Sequence, residues 1–120
     1  METVAPEITY LVHQLQESEY EKARHYAVLS LGQMGDTSVI PHLLKTLQDD
    51  PNPTVRAMSA NMLGHQGDNR AVPTLFQVFM SDTEIGVRIN IVQSLSKLGA
   101  VETLPFLFDS IRQTQEPGLL

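Results

Sequence analysis

The chain repeats itself every 32 residues, and no other feature constrains its fold as strongly. Arg24, Arg56 and Arg88 stand one step apart, as do Gly35, Gly67 and Gly99, and Pro41, Pro73 and Pro105. Leu31, Leu63 and Leu95 keep the same step, and so do Leu43, Leu75 and Leu107. Five columns agreeing in one register divide the chain into units 19–50, 51–82 and 83–114. Units of this length cannot bury an apolar face alone, so neighbours must stack to build a common core.

Each unit reads as two helices. In the first, Ala23, Ala27, Ser30, Leu31 and Met34 fall at helical spacing, matched by Val55, Ser59, Met62 and Leu63 and by Val87, Ile91, Leu95 and Leu98. The glycines of LGQMGD and LGHQGD are read as helix stops, with Gly35, Gly67 and Gly99 suited to a left-handed C-terminal turn. Asp36 and Asp68 then suit the N-cap of the next helix, a pattern that Ala100 breaks in the last unit. The second helix is expected to bury Ile40, Leu43, Leu44 and Leu47, then Val72, Leu75, Phe76 and Phe79, then Leu104, Leu107, Phe108 and Ile111. The proline column lies near its start, where a missing N–H does least harm.

The register also runs backwards: Ile8, Leu11, Val12 and Leu15 precede Ile40, Leu43, Leu44 and Leu47 by one step. Residues 6–18 are therefore an orphan second helix, a half repeat at the N-terminal end, and residues 115–120 are a tail. Leu119 falls in the register of Val87, as in a further unit of a longer solenoid. The expectation is one all-α domain over residues 1–120, a right-handed α-solenoid of about three and a half two-helix repeats. It has seven helices, no strand, and second helices in one layer.

Composition narrows the function. With 8 Lys+Arg against 14 Asp+Glu, the net charge of -6 disfavours a phosphate backbone as partner, which needs a basic stripe. There is no Cys, hence no disulfide, thiolate nucleophile or zinc–thiolate site. No apolar run approaches the roughly 18–20 residues that span a bilayer. The first residues, METVAPEITY, carry acids where a signal or transit peptide would carry Lys or Arg. A cytoplasmic protein is expected, with no membrane or nucleic-acid partner.

Unit two, from Val55 to Phe79, carries Val55-Arg56, Leu63-Gly64, Gly67-Asp68, Val72-Pro73, Leu75 and Phe79 in the pattern VRxxxxxxLGxxGDxxxVPxLxxxF. It resembles the HEAT repeat, in the short form named after phycobilisome lyases, over about residues 6–114. The tetratricopeptide class, close in period, expects a Trp that this chain lacks. The resemblance implies a non-enzymatic scaffold for another protein, with second helices lining the concave face. It also admits an accessory or subunit of a phycobilin lyase, or a factor in phycobilisome assembly or turnover. In similar proteins the positions of Arg24, Arg56, Arg88, Asp50 and Asp82 form a ladder that pins the loop of one repeat to the helix of its neighbour. The other reading of the arginine column is a basic stripe for an anionic partner.

No residue pattern marks an active site. His13, His25, His42 and His65 invite a metal reading, and the resemblance includes the di-iron deoxyhypusine hydroxylases, whose repeats carry His-Glu pairs. Here His25 is followed by Tyr26, and no His precedes a Glu, so neither metal nor cofactor is expected. No catalytic residue is assigned.

Candidate binding residues come from solvent-facing columns of the second helices. Tyr10, His42, Thr74 and Phe106 form one row; His13, Lys45, Gln77 and Asp109 form another; Gln14, Thr46, Val78 and Ser110 form a third. Tyr10, Val78 and Phe106 are apolar or aromatic where the wheel predicts exposure, the composition of a protein-binding hot spot. Tyr10, His42, Lys45, Thr74, Gln77, Val78, Phe106 and Asp109 are the expected contact set. End-to-end self-association is a further option for a stack of this kind.

Overall fold

The computed structural model describes residues 5–100 together with Pro105, Leu107, Asp109 and Arg112. Six α-helices follow one another: α1 (Pro6–Glu17), α2 (Glu21–Gln33), α3 (Ile40–Asp49), α4 (Pro53–Gln66), α5 (Val72–Ser81) and α6 (Ile85–Lys97). Among the described residues there is no strand, and the helices stack as a small α-solenoid. Most of the expected seventh helix, including Leu104, Phe108 and Ile111, lies outside the described residues, although Pro105, Leu107, Asp109 and Arg112 are each helical.

Local chemistry sets the helix limits. Pro6 and Pro53 open α1 and α4, and Pro41 and Pro73 sit in the first turns of α3 and α5, where no intrahelical N–H is needed. Asn52 caps α4, its Oδ1 accepting from the N–H groups of Thr54 (2.8 Å) and Val55 (3.2 Å). After the first helices the chain turns through Gly35 and Gly67 at φ 71° and 73°, a region costly for a side-chain residue. Asp36 and Asp68 then accept from the N–H groups of Ser38 and Arg70, both at 2.9 Å. They cap the short 3-10 turns Thr37–Val39 and Asn69–Ala71 that lead into α3 and α5, rather than those helices themselves.

One continuous core runs through the stack, with Leu31, Leu43, Leu47, Leu63, Leu75, Phe79, Ile91, Leu95 and Leu107 fully buried. Four residues expected in it, Val12, Leu44, Val72 and Phe76, only flank it, half-buried. Met34, placed on the core stripe by its spacing, is exposed, while Val28 and Ala60 are buried in its stead. The reason is that α2, α4 and α6 are covered on two sides, by second helices and by each other, so their buried arc is wider than one stripe.

The two layers are unequally spaced. Successive first helices, α2 with α4 and α4 with α6, meet far more extensively than the second helices α1, α3 and α5 meet one another. Glycine makes this approach possible. A Cβ on Gly32 would stand 2.4 Å from Cγ of Met62, and one on Gly64 would stand 2.5 Å from Oγ and 2.8 Å from Cα of Ser94. These glycines lie inside α2 and α4, so only the second glycine of each LGxxGD motif is a helix stop. Polar bonds tie the same seam: Ser94 Oγ donates to the Ala60 carbonyl (2.5 Å), and Gln66 Nε2 to the Gly32 carbonyl (2.9 Å). A two-layer stack bends toward its more closely spaced layer. The more closely spaced layer here is that of α2, α4 and α6.

Candidate functional site

The arginine column forms a ladder at the ends of the second helices. Arg24 Nε donates to Asp50 Oδ2 at 2.8 Å and its Nη2 to Asp50 Oδ1 at 3.2 Å, a bidentate pair shielded from solvent. One step on, Arg56 Nε donates to Asp82 Oδ2 at 2.8 Å. Each of these pairs lies within one repeat. The link between repeats is to backbone: Arg24 Nη1 donates to the Ser18 carbonyl (3.1 Å) and Arg56 Nη1 to the Asp50 carbonyl (2.8 Å). Asp50 also accepts from the N–H of Asn52 at 3.0 Å, which shapes the turn into α4. The carboxylate beside it pushes the Arg24 pKa up, so this guanidinium stays charged. Arg88 is buried, its guanidinium carbon 4.4 Å from the centre of the Phe79 ring. Charges held this way hold the fold and leave no basic stripe at Arg24 and Arg56.

Beside each pair lies a cleft, and the two clefts are copies of each other. The first, about 250 Å³, is lined by Gln16, Arg24, Lys45, Thr46 and Asp50; the second, about 510 Å³, by Gln48, Arg56, Gln77, Val78 and Asp82. Lys45 and Gln77 are exposed at their lips, and Thr46 and Val78 form the floors. Val78 is only 7% exposed and belongs to the core, which corrects its expected place on an open row. One helical position from Gln77 is enough to turn the side chain inward, onto the floor of the cleft that Gln48 and Arg56 also line.

The other expected contact residues are dispersed. Tyr10 is 63% exposed, Asp109 is exposed, and His42 and Thr74 are half-buried. His42 is partly covered by Gln16, whose Nε2 lies 3.3 Å from its Nδ1. Phe106 lies outside the described residues. Tyr10 does not continue a groove with His42. It faces the N-terminal end of the stack, where it lines a groove with Tyr26, Ser30 and Met34.

The layer of α2, α4 and α6 presents a surface that the second-helix columns left out. Tyr26 (64% exposed) and Ile89 (46%) stand out from it, with Met58, Asn61 and Asn90 half-buried between them. Asn61 Nδ2 donates to Asn90 Oδ1 across the α4–α6 seam at 3.3 Å. A signal was present in the sequence. The columns Tyr26/Met58/Asn90 and His25/Ala57/Ile89 change chemistry from unit to unit, whereas the neighbouring leucine and glycine columns do not.

Among the described residues no three His, Asp or Glu side chains converge on a point that could hold a metal ion. No described helix is long and apolar enough to cross a membrane. The family model for HEAT repeats matches residues 8–79 and again 40–119. No curated protein matches the chain.

Proposed function

The chain belongs to the HEAT-repeat family, and on that footing we propose that it is a non-enzymatic scaffold that binds another protein along the inner layer of α2, α4 and α6. HEAT repeats commonly mediate protein–protein interaction. The observation that supports the inner-layer reading is the unequal spacing of the two layers, since a stack whose first helices stand closer together curves toward them. On that side Tyr26, Met58 and Ile89 offer apolar contact, and Asn61 and Asn90 offer donors and acceptors between them. Large apolar anchors flanked by adaptable polar groups are the make-up of a protein-binding hot spot. The acidic balance of the chain favours a neutral or basic partner surface over nucleic acid. We place this activity in the cytoplasm.

Site-specific photo-crosslinking in cells tests the face. A crosslinker at Asn61, on the inner layer, should yield a discrete adduct with a partner protein, whereas one at Lys45, on the outer side, should not. Adducts from Lys45 alone would return the binding site to the second helices.

A further inference from the structure

Among the described residues the inter-repeat seam is built twice, and one half of it stands uncovered on α2. In α6, the stripe Asn90, Ser94 and Leu98 lies toward α4: Asn90 bonds Asn61, and Ser94 rests on Gly64 while its Oγ bonds the Ala60 carbonyl. In α4, the equivalent Met62 lies over Gly32 and Gln66 bonds the Gly32 carbonyl. The same stripe in α2 is Tyr26, Ser30 and Met34, one repeat earlier. Among the described residues no first helix precedes it, and the stripe lines a groove of about 700 Å³ with Tyr10 and Glu7 of α1. Tyr26 is 64% exposed and Met34 42% exposed, where their counterparts in α6 are half-buried (Asn90) and buried (Leu98).

We propose that this groove takes one α-helix of a partner protein, docked as α4 docks on α6. The internal seam states the chemistry of that helix. It needs Gly opposite Ser30, because the neighbouring first helices are close enough to exclude a Cβ at Gly64. It needs a carbonyl within reach of Ser30 Oγ, as Ala60 provides for Ser94, and apolar side chains against Tyr26 and Met34. Ser30 and Ser94 are the same residue type in the same column, so an α4-like helix is the closest match. Glu7 is the one charged side chain of the groove, which favours a Lys or Arg at the facing end of the helix. A second copy of the chain would have to offer α6. The helix that carries its buried Leu107 holds the place beside α6 that α1 would need, since Leu107 and Leu11 share one column.

The test titrates the isotopically labelled full chain with a helix-locked peptide of residues 51–68, the segment that presents Ala60 and Gly64 to Ser94. Saturable amide shifts centred on Tyr10, Tyr26, Ser30 and Met34 are expected. Ser30→Arg and Met34→Glu should each weaken binding by about tenfold or more while keeping the parent's circular dichroism. Asn61→Arg, on the inner layer, should leave the titration unchanged, so failure here is separable from failure of the inner-layer reading. Absence of saturable shifts, or binding indifferent to both groove variants, would overturn the proposal. So would shifts centred on Asn90 and Ser94, which would mean exchange with the chain's own α4. A concentration-dependent dimer broken by Ser30→Arg would assign the groove to a second copy and likewise refute it.

Discussion

The backbone carbonyl of Asp50 accepts a hydrogen bond from Arg56 Nη1 at 2.8 Å while the carboxylate of the same residue holds Arg24. Asp50 thus touches the arginines of two successive repeats, one through its side chain and one through its main chain. Arg56 in turn holds Asp82, so the chain of bonds passes from repeat to repeat without a break over the described ladder. Substituting Asp50 removes only the side-chain half of this link and leaves its carbonyl to Arg56.

Asp50→Ala should therefore be costly. It leaves Nε and Nη2 of the shielded Arg24 and the Asn52 N–H without their acceptor, and breaking a buried pair from one side costs roughly 3–5 kcal/mol. Arg70→Ala removes an equally short pair with Asp68, but one in which the arginine is two-thirds exposed, and should barely move the urea midpoint. Equal effects from the two variants would show that the ladder carries no special weight.

The three helix glycines should respond to alanine with different signs. At Gly64 the added methyl meets the backbone of α6 as well as Ser94 Oγ, so overpacking should cost about 1–3 kcal/mol. At Gly32 the nearest atoms are Cγ, Sδ and Cβ of Met62; the first two can rotate away but Cβ, at 2.5 Å, moves only with its backbone, so alanine should destabilise there too. At Gly86, exposed in the first turn of α6 with nothing within 4 Å of the added methyl, alanine should stabilise by about 0.4–1 kcal/mol. Thermal melts of the three variants give the order directly.

Surface aromatics and core leucines should separate cleanly. Tyr10→Ala and Tyr26→Ala remove side chains that are mostly in solvent and should change stability by no more than about 0.5 kcal/mol. Leu75→Ala and Leu107→Ala leave cavities in fully buried positions and should cost about 2–5 kcal/mol. Phe76→Ala should fall between the two groups, since Phe76 is only half-buried.

Acid should loosen the turns before α3 and α5. The Ser38 backbone N–H holds the Asp36 carboxyl below the usual carboxylate range, and the Arg70 guanidinium, then its backbone N–H, does the same for Asp68. A carboxyl whose folded pKa is depressed contributes stability that is complete above its unfolded value. That contribution is lost as the pH falls through the folded value. Carbon-detected titration should place both midpoints below that of an unstructured aspartate. Asp68→Asn, which keeps the acceptor oxygen but cannot titrate, should flatten the fall in stability below about pH 4. A midpoint for Asp68 at the ordinary value would contradict the capping geometry.

Most of the architecture was legible in the sequence. The 32-residue step located the helices, the leucine columns located the centre of the core, and Gly35 and Gly67 marked turns that the backbone makes through positive φ. The roles of Gly32 and Gly64 were not legible. A glycine inside a helix and a glycine that ends one look alike when three residues apart, and only the distance to the next helix tells them apart. Val78 misled for a related reason: its column also holds the polar Gln14 and Thr46 and so reads as open, yet Thr46 and Val78 are both buried.

The amino-acid sequence by itself determined that this protein is a stack of two-helix repeats, because periodicity, turn glycines and apolar spacing are local properties that each unit states in full. Only the tertiary structure decided which layer packs more closely and which described faces stay open. Those depend on how closely α2, α4 and α6 approach, and that distance is set by pairs such as Gly32 with Met62 and Gly64 with Ser94, drawn from different repeats. A repeat names its own helices; the spacing between repeats belongs to no single one of them.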